Sequence, residues 1–138
     1  MTDTETTPVD LVLIVEDDQD LRESIEAALA VRGHHVATAC NGVEALAFLR
    51  AQTVAPRLVL LDLMMPNMNG FDLRAEMNAH PALAAIPVVV ITGAPVLAER
   101  RSAELQTEVL AKPIELGTLM TTVGRFCRPR GSARRAPV

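Results

Sequence analysis

Arg57-Leu58-Val59-Leu60-Leu61-Asp62-Leu63-Met64-Met65-Pro66-Asn67-Met68-Asn69-Gly70 decides the fold. Four large apolar residues, Leu58 to Leu61, run straight onto one carboxylate, Asp62. A short apolar stretch follows, then Pro66 and the turn signal Asn69-Gly70. An apolar run bounded by such punctuation reads as a buried strand. An acid where that strand ends stands at the rim of a sheet. In open parallel sheets, ligands collect outside the carboxyl ends of the strands. Asp62 is thus a candidate for chemistry. Taken alone it reads better as an ordinary loop or helix-cap acid, so the decision rests on what converges with it.

Upstream, Leu11 to Val15 forms a first strand ending on Glu16, Asp17 and Asp18. A helix is expected from about Gln19 to Val31, with Leu21, Ile25, Ala28 and Leu29 on its apolar face. Asp18 is placed to cap it, Asp20 favours its positive end, and Gly33 stops it. His35 to Ala39 is a short second strand. Asn41-Gly42-Val43-Glu44 resembles a capping box and opens a helix with Val43, Leu46 and Leu49 inward, ending near Gln52. Downstream, a helix from about Gly70 to Ala79 packs Phe71 and Met77 inward. Pro81 and Pro87 bracket a loop, and Val88 to Ile91 is the fourth buried run. Thr92-Gly93-Ala94-Pro95 leads into a short helix over about Val96 to Glu104, with Pro95 near its first position. Glu108 to Ala111 is a weakly marked fifth strand, and Lys112-Pro113 follows at once. A last helix spans about Glu115 to Phe126, with Leu116, Leu119, Met120 and Val123 on its apolar face. Strand and helix alternate five times through short connections, which predicts a parallel sheet with helices on both faces. The expected order is 2-1-3-4-5.

Size and charge narrow the function. At 138 residues and 49% hydrophobic, the chain is one globular domain with extensions: residues 1–10, a domain over 11–127, and a basic tail over 128–138 that is expected to be disordered. No run of 18 apolar residues is present, which argues against a membrane span. The polar, acidic N-terminus is not a secretory signal. Cys40 and Cys127 lack metal spacing and read as small hydrophobes in a reducing cytoplasm. Arg125, Arg128, Arg130, Arg134 and Arg135 take five of the 13 bases, so the remainder sets eight bases against 17 acids, a balance of −9. Such an acidic domain does not suit nucleic acid. The tail reads as a solvated end, or as an electrostatic tether that weakens with salt.

In this topology all strands deliver their ends to one edge: Glu16 and Asp17 from strand 1, Asp62 from strand 3, Thr92 from strand 4, Lys112 from strand 5. Each alone reads as a solvated charge, a cap or a loop residue; Met64, Met65 and Met68 read as core filler. Jointly they read as a site. Three carboxylates at one pocket call for a hard cation, and Mg²⁺ suits them because it takes few carboxylates and leaves room for a phosphoryl oxygen. Lys112, the only lysine, adds a compact charge. Thr92 offers a hydroxyl.

The chain resembles the receiver domain of two-component response regulators. The resemblance is carried by Val-Leu-Ile-Val-Glu-Asp-Asp at 12–18, Leu-Leu-Asp-Leu-Met-Met-Pro-Asn-Met-Asn-Gly at 60–70, Val-Val-Ile-Thr-Gly at 89–93 and Lys-Pro-Ile at 112–114. It covers about Leu11 to Phe126. It implies a flavodoxin-like (βα)5 fold in which Asp62 accepts a phosphoryl group from the phosphohistidine of a sensor histidine kinase or histidine phosphotransfer protein. It implies Mg²⁺ held by Glu16, Asp17, Asp62 and the carbonyl of Met64, and a phosphoryl group bound by Thr92 and Lys112. Lys112-Pro113 looks like the family's cis peptide. Bottom-up chemistry agrees: Asp62 as nucleophile, with cation and ammonium neutralising the transferred group and a switch face downstream.

The chain also departs from the family. Val109 stands where Tyr or Phe often swings inward. The usual Gly-Ala before strand 5 is missing, and the segment between strands 4 and 5 is about two residues short. Met64 and Ala94 occupy positions that tune dephosphorylation, and neither orients a water, which predicts a long-lived phosphoryl group. Only eleven residues follow Cys127, so a single-domain regulator is expected, as monomer or phosphorylation-dependent dimer, and not an enzyme in the ordinary sense. The alternative is a degenerate receiver serving as an interaction or dimerisation module. An aspartyl-phosphate phosphatase is a further reading, but Met64 replaces its second acid. A flavin site is disfavoured by the acids after strand 1.

Overall fold

A computed structural model describes residues 10–129. The five strands are β1 (Leu11–Val15), β2 (His35–Ala39), β3 (Leu58–Asp62), β4 (Val88–Thr92) and β5 (Glu108–Ala111). All pairings are parallel, in the order β2-β1-β3-β4-β5. The flavodoxin-like receiver fold expected from the strand–helix alternation is the one observed. The helices are α1 (Gln19–Val31), α2 (Gly42–Ala51), α3 (Gly70–Asn78), α4 (Pro81–Ala84), α5 (Pro95–Arg100), α6 (Ser102–Leu105) and α7 (Leu116–Gly124). Among the described residues, no helix is long and apolar enough to cross a membrane.

The pleat divides the core in two, because successive strand residues face opposite sides of the sheet. Leu13, Val15, Val59, Leu61, Val88 and Val90 pack with α2, α3, α5 and α6. Val12, Ile14, Leu58, Leu60, Val89 and Ile91 pack with α1 and α7. Every residue of β3 and β4 is buried, which explains why both read as continuous apolar runs instead of alternating ones. Cys127 is also in the core; burial pushes its thiol up to about 11, with Asp10 adding to the shift, so it behaves as an inert hydrophobe. Cys40 is half-buried, and both cysteines are free.

Local signals account for most boundaries. Asp18 caps α1 by accepting from the Leu21 N–H at 3.2 Å, and Gly33 leaves it at φ 89°, a left-handed turn that glycine adopts without strain. Asn41 accepts from the Glu44 N–H at 2.8 Å, but Glu44 reaches past it to the Cys40 N–H at 2.7 Å. The true capping box lies at Asn69 and Asp72, which exchange bonds of 2.9 and 3.3 Å; the Asn-Gly pair had signalled only a turn.

Four expectations are corrected. Val43 is 55% exposed, because the inner face of α2 runs through Gly42, Ala45, Leu46 and Leu49. Leu116 is 54% exposed: it opens α7 before the helix settles on the sheet, and Thr122 joins Leu119 and Val123 inside. Pro81 starts a short helix instead of a loop, since its fixed φ suits a first turn. The helix expected over Val96 to Glu104 is broken at Arg101 (φ −110°, ψ 27°) into α5 and α6. Helix ends also shift: α3 stops at Asn78 and α7 spans Leu116–Gly124. The tail expected to be disordered lies, from residue 130 on, outside the described residues.

Candidate functional site

Strand register assembles the site. Val15 of β1 stands beside Leu61 of β3, so Glu16 and Asp17 leave β1 level with Asp62. Thr92 ends β4 opposite Ala111, and the Lys112 N–H donates to the Thr92 carbonyl at 2.8 Å. The Lys112–Pro113 peptide is cis. All of Glu16, Asp17, Asp62, Thr92 and Lys112 thus come to the C-terminal edge of the sheet, as the sequence predicts.

Burial sets their electrostatics. Asp62 and Glu16 are 3% and 2% exposed, while Asp17 is open to solvent. The Lys112 Nζ lies 3.0 Å from Glu16 Oε1 and 3.5 Å from Asp62 Oδ1. One ammonium therefore serves two buried acids. Burial raises the Asp62 pKa, and the Glu16 charge adds to it; Lys112 and the Met64 N–H oppose, leaving it at about 7. The Lys112 pKa is raised as well. Burial pulls it down, but the Glu16 hydrogen bond and the charges of Asp62 and Glu16 outweigh that.

The surrounding backbone holds these groups still. Glu16 accepts from the Asp18 N–H at 3.1 Å, and Arg22 Nη1 donates to the Glu16 carbonyl at 2.8 Å. Sequence reading missed Arg22; its only signal is a polar residue in the first turns of α1, above the acid loop. Asp62 Oδ1 accepts from the Met64 N–H at 3.3 Å, and the Met64 side chain is 57% exposed at the rim. Gly70 donates to the Leu63 carbonyl at 2.9 Å, and a Cβ there would lie 2.7 Å from the Asp62 carbonyl oxygen. Only glycine lets α3 start this close to the acid. Thr92 is fully buried and its Oγ1 accepts from the Ala94 N–H at 2.9 Å.

The donor set fits a hard cation. Glu16, Asp17 and Asp62 each offer one carboxylate oxygen, and these lie within 4.8 Å of one another. All are oxygen donors, two are buried with a single ammonium as counter-charge, and the third opens to solvent. This suits an oxygen-ligated divalent ion that keeps waters, and not zinc or another metal preferring nitrogen and sulfur.

Comparison with known proteins agrees with this geometry. The family model for the response regulator receiver domain matches residues 12–124. Protein PilH of Pseudomonas aeruginosa is 32% identical over 117 residues, covering 81% of this chain and 93% of PilH. The chemotaxis protein CheY4 of Vibrio cholerae superposes with a TM-score of 0.74 at 29% identity, over 86% of this chain and 99% of that one. The receiver domain of the sensor histidine kinase PA1611 from Pseudomonas aeruginosa, solved with a magnesium ion coordinated in its active site cleft, gives a TM-score of 0.74 at 26% identity, over 86% of this chain and 98% of that one. Sheet order, acid cluster, lysine after the fifth strand and family match coincide over the same residues: the chain belongs to the response regulator receiver domains of two-component signalling.

Proposed function

We propose that Asp62 is the phosphoacceptor and that phosphohistidine, on a sensor histidine kinase or a histidine phosphotransfer protein, is the donor. The observation that carries this is the Lys112 ammonium between Glu16 and Asp62 at 3.0 and 3.5 Å. An Asp62 oxygen attacks phosphorus, the histidine N–P bond breaks as the O–P bond forms, and the imidazole departs with the bonding pair. The acceptor must be ionised to attack, and Lys112 favours that form. Lys112 then has a phosphoryl oxygen to pair with. Thr92 can donate its hydroxyl proton to the phosphoryl group while its Oγ1 still accepts from the Ala94 N–H, so a shift of Thr92 toward the phosphoryl group draws the start of α5 with it.

Mg²⁺ is the ion this reading assigns, held by Glu16, Asp17, Asp62 and the Met64 carbonyl; the magnesium in the PA1611 receiver supports it. When bound it supplies positive charge against the transferring group. The chain's part is to hold the acids with Lys112, Arg22 and backbone N–H groups, so that little reorganisation accompanies binding. The same reading gives a cytoplasmic signalling protein that switches an interaction face, as monomer or phosphorylation-dependent dimer, and that assists its own phosphorylation without being an enzyme in the ordinary sense. The domain would span residues 11–127. A phosphorylation-independent module would not need a buried acid, ammonium and hydroxyl in register.

The test is intact-mass analysis after incubation with Mg²⁺ and acetyl phosphate, since a chain without Trp or Tyr lacks the usual fluorescent reporter. Wild type is expected to gain one phosphoryl group and Asp62→Asn none. Equal labelling of Asp62→Asn sinks the assignment.

A further inference from the structure

Among the described residues, Arg74 is buried without a carboxylate partner. It lies in α3 and is 7% exposed; its Nε donates to the Leu105 carbonyl at 2.9 Å, and its buried Nη1 has no hydrogen-bond partner among the described residues. Burial pulls its pKa below that of a free guanidinium. Burying a guanidinium carries a desolvation cost that an apolar side chain of similar length does not, so a buried charge is weak evidence of a stabilising role. What Arg74 does supply is one long-range bond to one backbone atom.

That atom ends the segment that departs most from expectation. Leu105 is fully buried and closes α6, and Gln106 then turns left-handed at φ 51°. The segment meets α3 a second time at Arg101, the joint between α5 and α6. Its guanidinium lies 3.6 Å from the centroid of the Phe71 ring and also bonds Glu104 through Nε and Nη2, both at 2.7 Å. The other end of the segment hangs on Thr92 through the Ala94 N–H. α3 itself begins at Gly70, against the Asp62 backbone. So the segment and α3 both start at the site, and they meet again at Phe71–Arg101 and Arg74–Leu105.

We propose that Arg74 is a positioning residue that latches the 94–105 segment to α3 through the Leu105 carbonyl, so that loading of Asp62 reaches this segment along α3 as well as through Thr92. The second part rests on Asp62 being the phosphoacceptor. The latch takes the place of an aromatic at Val109, which is half-buried and carries no ring. Nη1, buried and without a partner among the described residues, leaves the same guanidinium a second donor at this helix end, where the last carbonyls lack intrahelical partners.

Amide hydrogen exchange on Arg74→Met and Arg74→Lys decides it, with thermal unfolding as the check on folding. In the free protein, Arg74→Met is expected to speed exchange of the 97–106 amides by about tenfold or more, as a local opening, while β3 and β4 amides keep their protection and the Tm does not fall. Arg74→Lys, which keeps a donor, is expected to restore part of the protection. Unchanged exchange at 97–106 in Arg74→Met overturns the latch. In the second arm, Mg²⁺ and beryllofluoride are expected to shift the 97–106 amides in wild type and clearly less in Arg74→Met, with Ala94 and the α3 amides responding in both. An equal response of the 97–106 amides in both proteins overturns the relay. If no protein responds to beryllofluoride, the phosphoacceptor reading and the relay built on it fail together, while the free-state exchange still decides the latch.

Discussion

Asp62 and Glu16 share one ammonium, and that shortage of positive charge governs how the site answers to pH. The Asp62 pKa is raised from 3.8 to about 7, first by burial and then by Glu16. A carboxyl raised above its unfolded value contributes stability below that unfolded value and loses it as pH rises through the folded one. The metal-free protein is therefore expected to lose stability between about pH 4 and pH 7, a loss that Asp62→Asn removes. An ion held by these acids would compete with that proton, so the apparent Mg²⁺ affinity is expected to rise with pH over the same window. Denaturant titrations at several pH values, with and without Mg²⁺, check both. A Mg²⁺ affinity independent of pH over that range contradicts the assigned shift. At Met64 the side chain is exposed at the rim, and a thioether does not orient a water for attack on an acyl phosphate. The phosphoryl group is expected to be long-lived, and Met64→Asn to shorten its lifetime when followed by mass; a wild-type half-life of seconds at neutral pH goes against this. Asp62 and Glu16 are legible in the sequence because each stands where a strand ends. Arg74 is not, because it acts on the Leu105 carbonyl, which only the tertiary fold brings near; Arg22 bonds the nearby Glu16 carbonyl but looks in sequence like any polar residue of a first helical turn.

Elements differ in how plainly their residues announce them. β3 and β4 are buried on both faces and read as unbroken apolar runs, so their boundaries needed no structure. β5 is exposed at Glu108 and Ala111 and only half-buried between them, so Val109 and Leu110 mark it only weakly in the sequence. α5 and α6 were misread as one helix because the break at Arg101 has no local cause in glycine or proline. It coincides with a guanidinium turned onto Phe71 of another helix. The capping box at Asn69 was hidden by an Asn-Gly pair that also signals a turn. It now supports a specific expectation: Asn69→Ala should cost about 1 kcal/mol, the usual range for a lost N-cap, read as a lower denaturant midpoint with unchanged slope. Because α3 starts against the Asp62 backbone, the same variant tests whether the helix start also steadies the acid, through a weaker response to beryllofluoride.

At the scale of the whole molecule, one sheet carries two cores and one edge carries the site. Leu60 lies in the α1–α7 core at 1% exposure, two residues before the acid. Leu60→Ala should destabilise by about 2–5 kcal/mol while unfolding stays a single transition, since both cores hang on the same strands. Two transitions in calorimetry contradict a shared sheet. The parallel sheet and its order were legible from strand–helix alternation and the handedness of crossovers. Which helix faces what was less so: Val43 and Leu116 fit an apolar period yet turn outward, because the inner face of α2 runs through Gly42, Ala45, Leu46 and Leu49 and that of α7 through Leu119, Thr122 and Val123. The site inherits its geometry from strand register. Acid, hydroxyl and amine arrive together for that reason.

Phosphoryl transfer to Asp62 is what the whole site is built for on this reading. The most direct measurement is the intact mass of wild type and Asp62→Asn after exposure to a phosphorylated histidine donor and Mg²⁺. One added phosphoryl group on wild type, absent from Asp62→Asn and removed by hydroxylamine as an acyl phosphate should be, is the predicted result. Labelling of Asp62→Asn to the same extent, or a wild-type adduct that resists hydroxylamine, contradicts it.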